Sequence, residues 1–235
     1  ILGLEYAWPP VYSEILGYLG YSRTISGGTN TCPAICSITN PQTVTSVFAN
    51  TAEMSKYYAN KNNSTNTRQN LDGMAFNTIP PQGGADGGEF TMQISHKNLG
   101  NWRYDPATKK YLRWIEEPQN DGDVILVPLT DRLTDQQLQF SNVIVIFAEI
   151  ESLSDTDTLH EIHIADKKGN AIVFRDGKKY DVIYKSGHDT PIQFFDSEMN
   201  PFELQPGNTW MHIAGLSSVV LDEGSGVWRV KLGLP

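Results

Sequence analysis

From Phe90 to Ile213 the chain is a ladder of short apolar or alternating segments separated by tight-turn signals. The turns recur at Asp105-Pro106, Lys168-Gly169-Asn170, Asp176-Gly177, Ser197 to Asn200 and Pro206-Gly207. A strand shows successive side chains to opposite faces, so this spacing predicts antiparallel β-structure. Residues 101–104 and 110–114 carry aromatic side chains on both arms of an expected hairpin around Asp105-Pro106. Residues 142–150 are apolar on both faces, which marks the central strand of a sheet covered on both sides. Asp176-Gly177, flanked by 171–175 and 179–184, is the best two-residue type I′ turn in the chain. A last hairpin is expected from 219–221 and 227–230.

Composition narrows the possibilities. The chain has 235 residues and a net charge of −9, from 18 basic and 27 acidic residues. That balance argues against nucleic acid as a partner, because phosphate neutralisation needs clustered Lys and Arg. No run of about eighteen apolar residues suggests a transmembrane helix. The abundance of Gly, Asn, Thr and Ser suits a turn-rich, extracytoplasmic protein. Ile1 opens neither a signal peptide nor a translational start.

The first third reads differently. Val11, Ile15, Leu16 and Leu19 fall near helical spacing and predict a short helix. A second helix is expected from Asn50 or Thr51, either a good N-cap, with Glu53 in its first turn and an end near Asn60. Two cysteines lie at Cys32 and Cys36, with three residues between them. A non-helical loop around Pro33 would permit a structural disulfide; free thiols are the second reading. The spacing is not Cys-x-x-Cys, and no further cysteine exists for a metal site. Residues 80–88, rich in Pro and Gly, read as a linker or loop. The expected organisation is therefore 1–79 as a mixed α/β region, 80–88 as linker, 89–216 as a β-rich domain and 217–235 as a terminal hairpin.

Several of these residues also carry a family resemblance. Tyr104-Asp105, Tyr111, Asn142 with Val143, Gly169 with Val173 and Phe174, Asp176-Gly177, Phe194 and the closing Pro206-Gly207-Asn208-Thr209-Trp210 resemble the YerB-like bacterial lipoprotein family of unknown function. The likeness covers 89–214 well and 40–79 loosely. It implies an extracytoplasmic, cell-envelope location through a lipidated N-terminus not present in this chain, and a mixed α/β region ahead of the β-rich part. Relatives often carry a histidine where this chain has Thr43 to Ser46. The family offers no catalytic or binding residues to transfer.

The candidate chemistry is sparse. Glu161 and His163 share a strand face, with His160 on the other, and make two metal ligands; Asp155 and Asp157 could add oxygens. A solvated hairpin end is the plainer reading. His212 reads as a partly buried structural histidine. Trp102, Tyr104, Tyr111 and Trp114 could stack on sugar rings as a glycan-binding surface, although core packing is the plainer role for them. There is no Gly-x-Ser-x-Gly elbow and no phosphate loop, and no cofactor is expected.

The expected fold is α+β: a mostly antiparallel sheet, sandwich- or barrel-like, with one or two short helices in the N-terminal third. The expected function is a binding or structural role in the cell envelope, with an envelope hydrolase acting on glycan or peptide as the alternative. The first 21 residues are unusually apolar. They predict packing against a partner, either the remaining N-terminal half of the same protein or a neighbouring subunit.

Overall fold

The computed structural model describes residues 2–4, 24–26, 33–37, 47–62, 73–96, 98–119, 123–153, 160–187 and 190–235. The chain divides into two compact units, 1–70 and 71–235. The division therefore falls ahead of the Pro/Gly-rich stretch 80–88, which belongs to the second unit.

In the first unit, β1 (Leu2–Leu4) pairs in parallel with β2 (Thr24–Ser26), and β3 (Ile35–Ser37) pairs antiparallel with β4 (Val47–Ala49). Helix α1 (Thr51–Asn62) follows. Its start is the expected one: Asn50 Oδ1 accepts hydrogen bonds from the backbone N–H groups of Ala52 and Glu53, both at 3.1 Å. That satisfies two donors the helix cannot satisfy itself. Glu53 pairs with Lys56 one turn on. The helix expected over 11–19, the apolar segment 1–21 and Cys32 lie outside the described residues, and the Cys32–Cys36 pairing with them.

The second unit is a β-sandwich. Its first sheet runs β10 (Val124–Pro128), β9 (Lys110–Pro118), β8 (Asn98–Asp105), β7 (Glu89–Ser95), β20 (Val227–Lys231), β19 (Val219–Gly224), with β11 (Gln139–Phe140) also on β9. Its second sheet is centred on β12 (Asn142–Ser152). On one side β12 pairs with β18 (Thr209–Gly215). On the other it pairs with β13 (His160–His163) and β14 (Lys168–Arg175). Beyond β14 lie β15 (Lys178–Lys185) and, on its outer edge, β6 (Ala85–Asp86) and β16 (Gln193–Phe195). A short parallel pair, β5 (Ala75–Phe76) with β17 (Glu203–Leu204), lies outside both sheets. Pairing is mostly antiparallel; β7 with β20 and β12 with β18 are parallel. Both sheets keep open edges, so the architecture is a sandwich and not a barrel.

The two-sided apolar run is the reason β12 sits in the middle. Val143 and Val145 enter a core with Phe90, Met92, Trp102 and Tyr111 of the first sheet and Ile172 and Phe174 of the second. Ile144 and Ile146 face the other way, into a second core with Tyr180, Val182, Phe202 and Leu204. Phe90 stacks on Phe174 with ring centroids 4.6 Å apart, stitching the sheets together.

Local chemistry fixes the connections. Asp176 and Gly177 have φ of 51° and 72°, the positive pair that a type I′ turn requires. The expected turn at Lys168-Gly169-Asn170 is instead part of β14. A tight turn precedes it, where Lys167 N–H bonds to Ile164 O and Asp166 adopts φ 55°, and the chain continues from β13 into β14 in the same direction, both antiparallel to β12. Asn142, fully buried, donates to Gln205 O and Thr209 Oγ1 and accepts from Gln205 N–H. Gly207 has φ 136°, and a Cβ there would lie 2.2 Å from Ser141 Oγ. The Pro-Gly-Asn-Thr-Trp segment is thus a backbone clamp that delivers β18 into parallel register with β12. Among the described residues no helix is long and apolar enough to cross a membrane.

Candidate functional site

The hairpin aromatics do not form a stacking surface. Trp102 and Tyr111 have no exposed area and belong to the inter-sheet core. Cross-strand register explains this: Trp102 opposes Arg113 and Tyr104 opposes Tyr111, so all four share the inward face. Tyr104 packs on Tyr111 with centroids 5.3 Å apart. Trp114 points outward and is covered by the Arg103 guanidinium, 4.5 Å from its ring. The glycan surface expected on this hairpin is corrected accordingly. The aromatic side chains serve packing, because a second sheet lies over them.

At one end of this core the cluster is cationic. Arg113 is buried and lies 4.2 Å over Trp102 and 5.4 Å from Trp210. Burial pushes its pKa down to about 10. His212 accepts a hydrogen bond from Trp210 Nε1 at 2.9 Å and meets Trp102 edge-to-face at 4.7 Å. Burial, reinforced by the Arg113 charge, lowers its pKa to about 4, so it is a neutral structural imidazole at pH 7.

One concavity lies where the second sheet extends beyond the cover of the first. A groove of about 720 Å³ is lined by Phe147, Ile172 and Ile183, with Leu216 and Val220 also contributing. A second hollow, about 650 Å³, includes Pro81, Tyr180, Asp196 and Phe202 in its lining. The two share Lys179, Asp181 and Ser197. Lys179 is buried, and its Nζ meets both Asp181 oxygens at 2.7 Å and the Trp228 ring at 4.4 Å. Both volumes fall within the usual range for small-molecule sites.

The edge of β15 is incomplete there. β6 pairs with Lys178 and Lys179, and β16 with Ile183 to Lys185, leaving 180–182 without a strand partner on that side among the described residues. The two-residue turn makes Arg175 and Lys178 a hydrogen-bonded pair, so Lys178, Tyr180 and Val182 bond to β14. Asp181 therefore turns its backbone N–H and C=O toward the gap. The titratable groups displaced from their usual range around the second hollow have local causes. Asp196 is lowered by its hydrogen bonds to Asn200 and the nearby backbone, and Tyr180 is raised by burial.

The histidine–acid cluster takes a different form from the expected one. Glu161 and His163 do share a face, and β12 adds Glu151, directly opposite Glu161. His160 turns the other way and meets Ser152 Oγ at 3.3 Å. Asp155 and Asp157 lie outside the described residues. Sequence reading missed Glu151 because cross-strand register is not a local property. It missed Lys179 because a lysine in an alternating strand reads as solvated.

The fold and groove define an open-edged β-sandwich with a lined cleft along β15. The family model described as "Protein of unknown function (DUF3048) C-terminal domain" matches residues 90–211. The chain belongs to this family. Among solved structures, the crystal structure of the YerB protein from Bacillus subtilis superimposes with a TM-score of 0.66. It covers 91% of this chain and 67% of that one at 16% identity, a likeness of fold. No curated protein sequence matches the chain.

Proposed function

We propose that the chain is an extracytoplasmic, cell-envelope-associated protein with a binding or structural role. The observation that carries this reading is the groove along β15. It combines an apolar floor, a preformed Lys179–Asp181 pair and a strand edge left unpaired among the described residues. Such a site suits an extended, amide-bearing envelope component, such as a cell-wall peptide or acetylated glycan, because one backbone N–H and C=O can pair with an amide while the floor takes apolar atoms. The same edge would also take a strand of a neighbouring subunit. The envelope compartment is oxidising, which would let Cys32 and Cys36 pair.

The test is a pull-down from envelope extract with mass spectrometry, comparing the natural chain with Ile183→Glu. A component retained by the former and lost by the latter supports the reading. Equal recovery by both contradicts the groove as the site. Release of cleaved glycan or peptide from the retained material would favour the alternative, an envelope hydrolase.

A further inference from the structure

At the far end of the second sheet, β12 and β13 bring three metal-ligating side chains together on one face. Glu151 and Glu161 are direct cross-strand partners, and His163 stands opposite Glu149. His163 Nε2 is 3.2 Å from Glu151 Oε2, and the ligand atoms of Glu151, Glu161 and His163 all lie within 4.8 Å of one another. We propose that these three residues form a binding site for a divalent transition-metal ion of the zinc class.

Three features carry this assignment. Two carboxylates directly opposite each other on paired strands repel, so the arrangement costs stability unless a cation offsets it. Among the described residues no cation pairs with Glu161. Lys167 is taken by Glu149, at 3.4 Å. The geometry also suits a small ion: at metal–ligand bonds of about 2.0–2.2 Å, tetrahedral donors stand roughly 3.4 Å apart. The His163–Glu151 separation already meets that spacing, and the Glu161 carboxylate lies within 4.8 Å of both. Finally, one imidazole with two carboxylates suits a borderline ion such as Zn²⁺ better than Ca²⁺, which takes six to eight oxygens. Three protein ligands leave a coordination position open to water or to a ligand group. The site stands apart from the groove on β15 and does not depend on the binding role proposed for it.

Isothermal titration calorimetry of the whole chain with ZnCl₂ at pH 7.5 tests the proposal, with circular dichroism confirming that each variant is folded. The expected result is a saturable site of one Zn²⁺ per chain, bound more tightly than Ca²⁺. His163→Ala and Glu161→Gln are each expected to weaken it on the order of ten-fold or more. Glu149→Gln, whose carboxylate is engaged by Lys167, should change it by less than about two-fold. Absence of a one-to-one site, or Zn²⁺ affinity unaltered by both His163→Ala and Glu161→Gln, overturns the assignment. An equal loss in Glu149→Gln would do the same, by reducing the effect to general surface charge.

Discussion

At the scale of single residues, His212 shows the interior dictating chemistry. It sits among Trp102, Trp210 and Phe90, with Arg113 close by, and its folded-state pKa falls to about 4 against an ordinary 6.5. The fold accepts the neutral imidazole and resists the charged one. The stability this contributes is complete above pH 6.5 and is lost progressively as pH falls from 6.5 toward 4. A shift of this size corresponds to a loss on the order of 3 kcal/mol across that window. His212→Phe keeps the aromatic packing but deprives Trp210 Nε1 of its acceptor, at about 1 kcal/mol at pH 7. It should abolish this part of the acid sensitivity. Urea unfolding at pH 7 and pH 4.5 checks it: the variant's free energy should fall less between the two than the natural chain's. An identical fall would show that acid stability is set elsewhere.

At the scale of elements, what was legible in the sequence was local. Residues 142–150 announced a strand buried on both faces, and β12 has Val143 and Val145 in one core and Ile144 and Ile146 in the other. Asp176-Gly177 announced its turn, and Asn50 its helix cap, because each is fixed by backbone sterics or by one side-chain bond. What was not legible depends on partners distant in sequence. The parallel pairings of β18 with β12 and β20 with β7 leave no periodic signal, and neither does the face on which Trp102 lies. Glu151 joined His163 through register alone. The type I′ turn makes a prediction of its own. Gly177 has a positive φ, and an added Cβ would lie 2.9 Å from the Tyr104 ring. Gly177→Ala should therefore cost about 1–2 kcal/mol for the left-handed backbone alone. Chemical denaturation with an unchanged m-value would register it, and an unaltered midpoint would mean that the hairpin relaxes freely.

At the scale of the whole molecule, the sandwich leaves part of the second sheet uncovered, and that geometry creates the groove. The floor is apolar because β12, β14 and β15 continue their core-facing pattern beyond the reach of the first sheet. The Lys179–Asp181 pair adds a fixed charge arrangement at its rim. Binding along the open edge of β15 is the central claim. It is tested most directly by amide chemical-shift mapping of the isotope-labelled chain titrated with soluble cell-wall peptide and glycan fragments. Saturable shifts are expected, concentrated at Gly169, Asn170, Lys179 to Ile183 and Leu216 to Val220 and strongest at the Asp181 amide. Shifts confined to surfaces away from β15, or none at any concentration of the fragments, would contradict it.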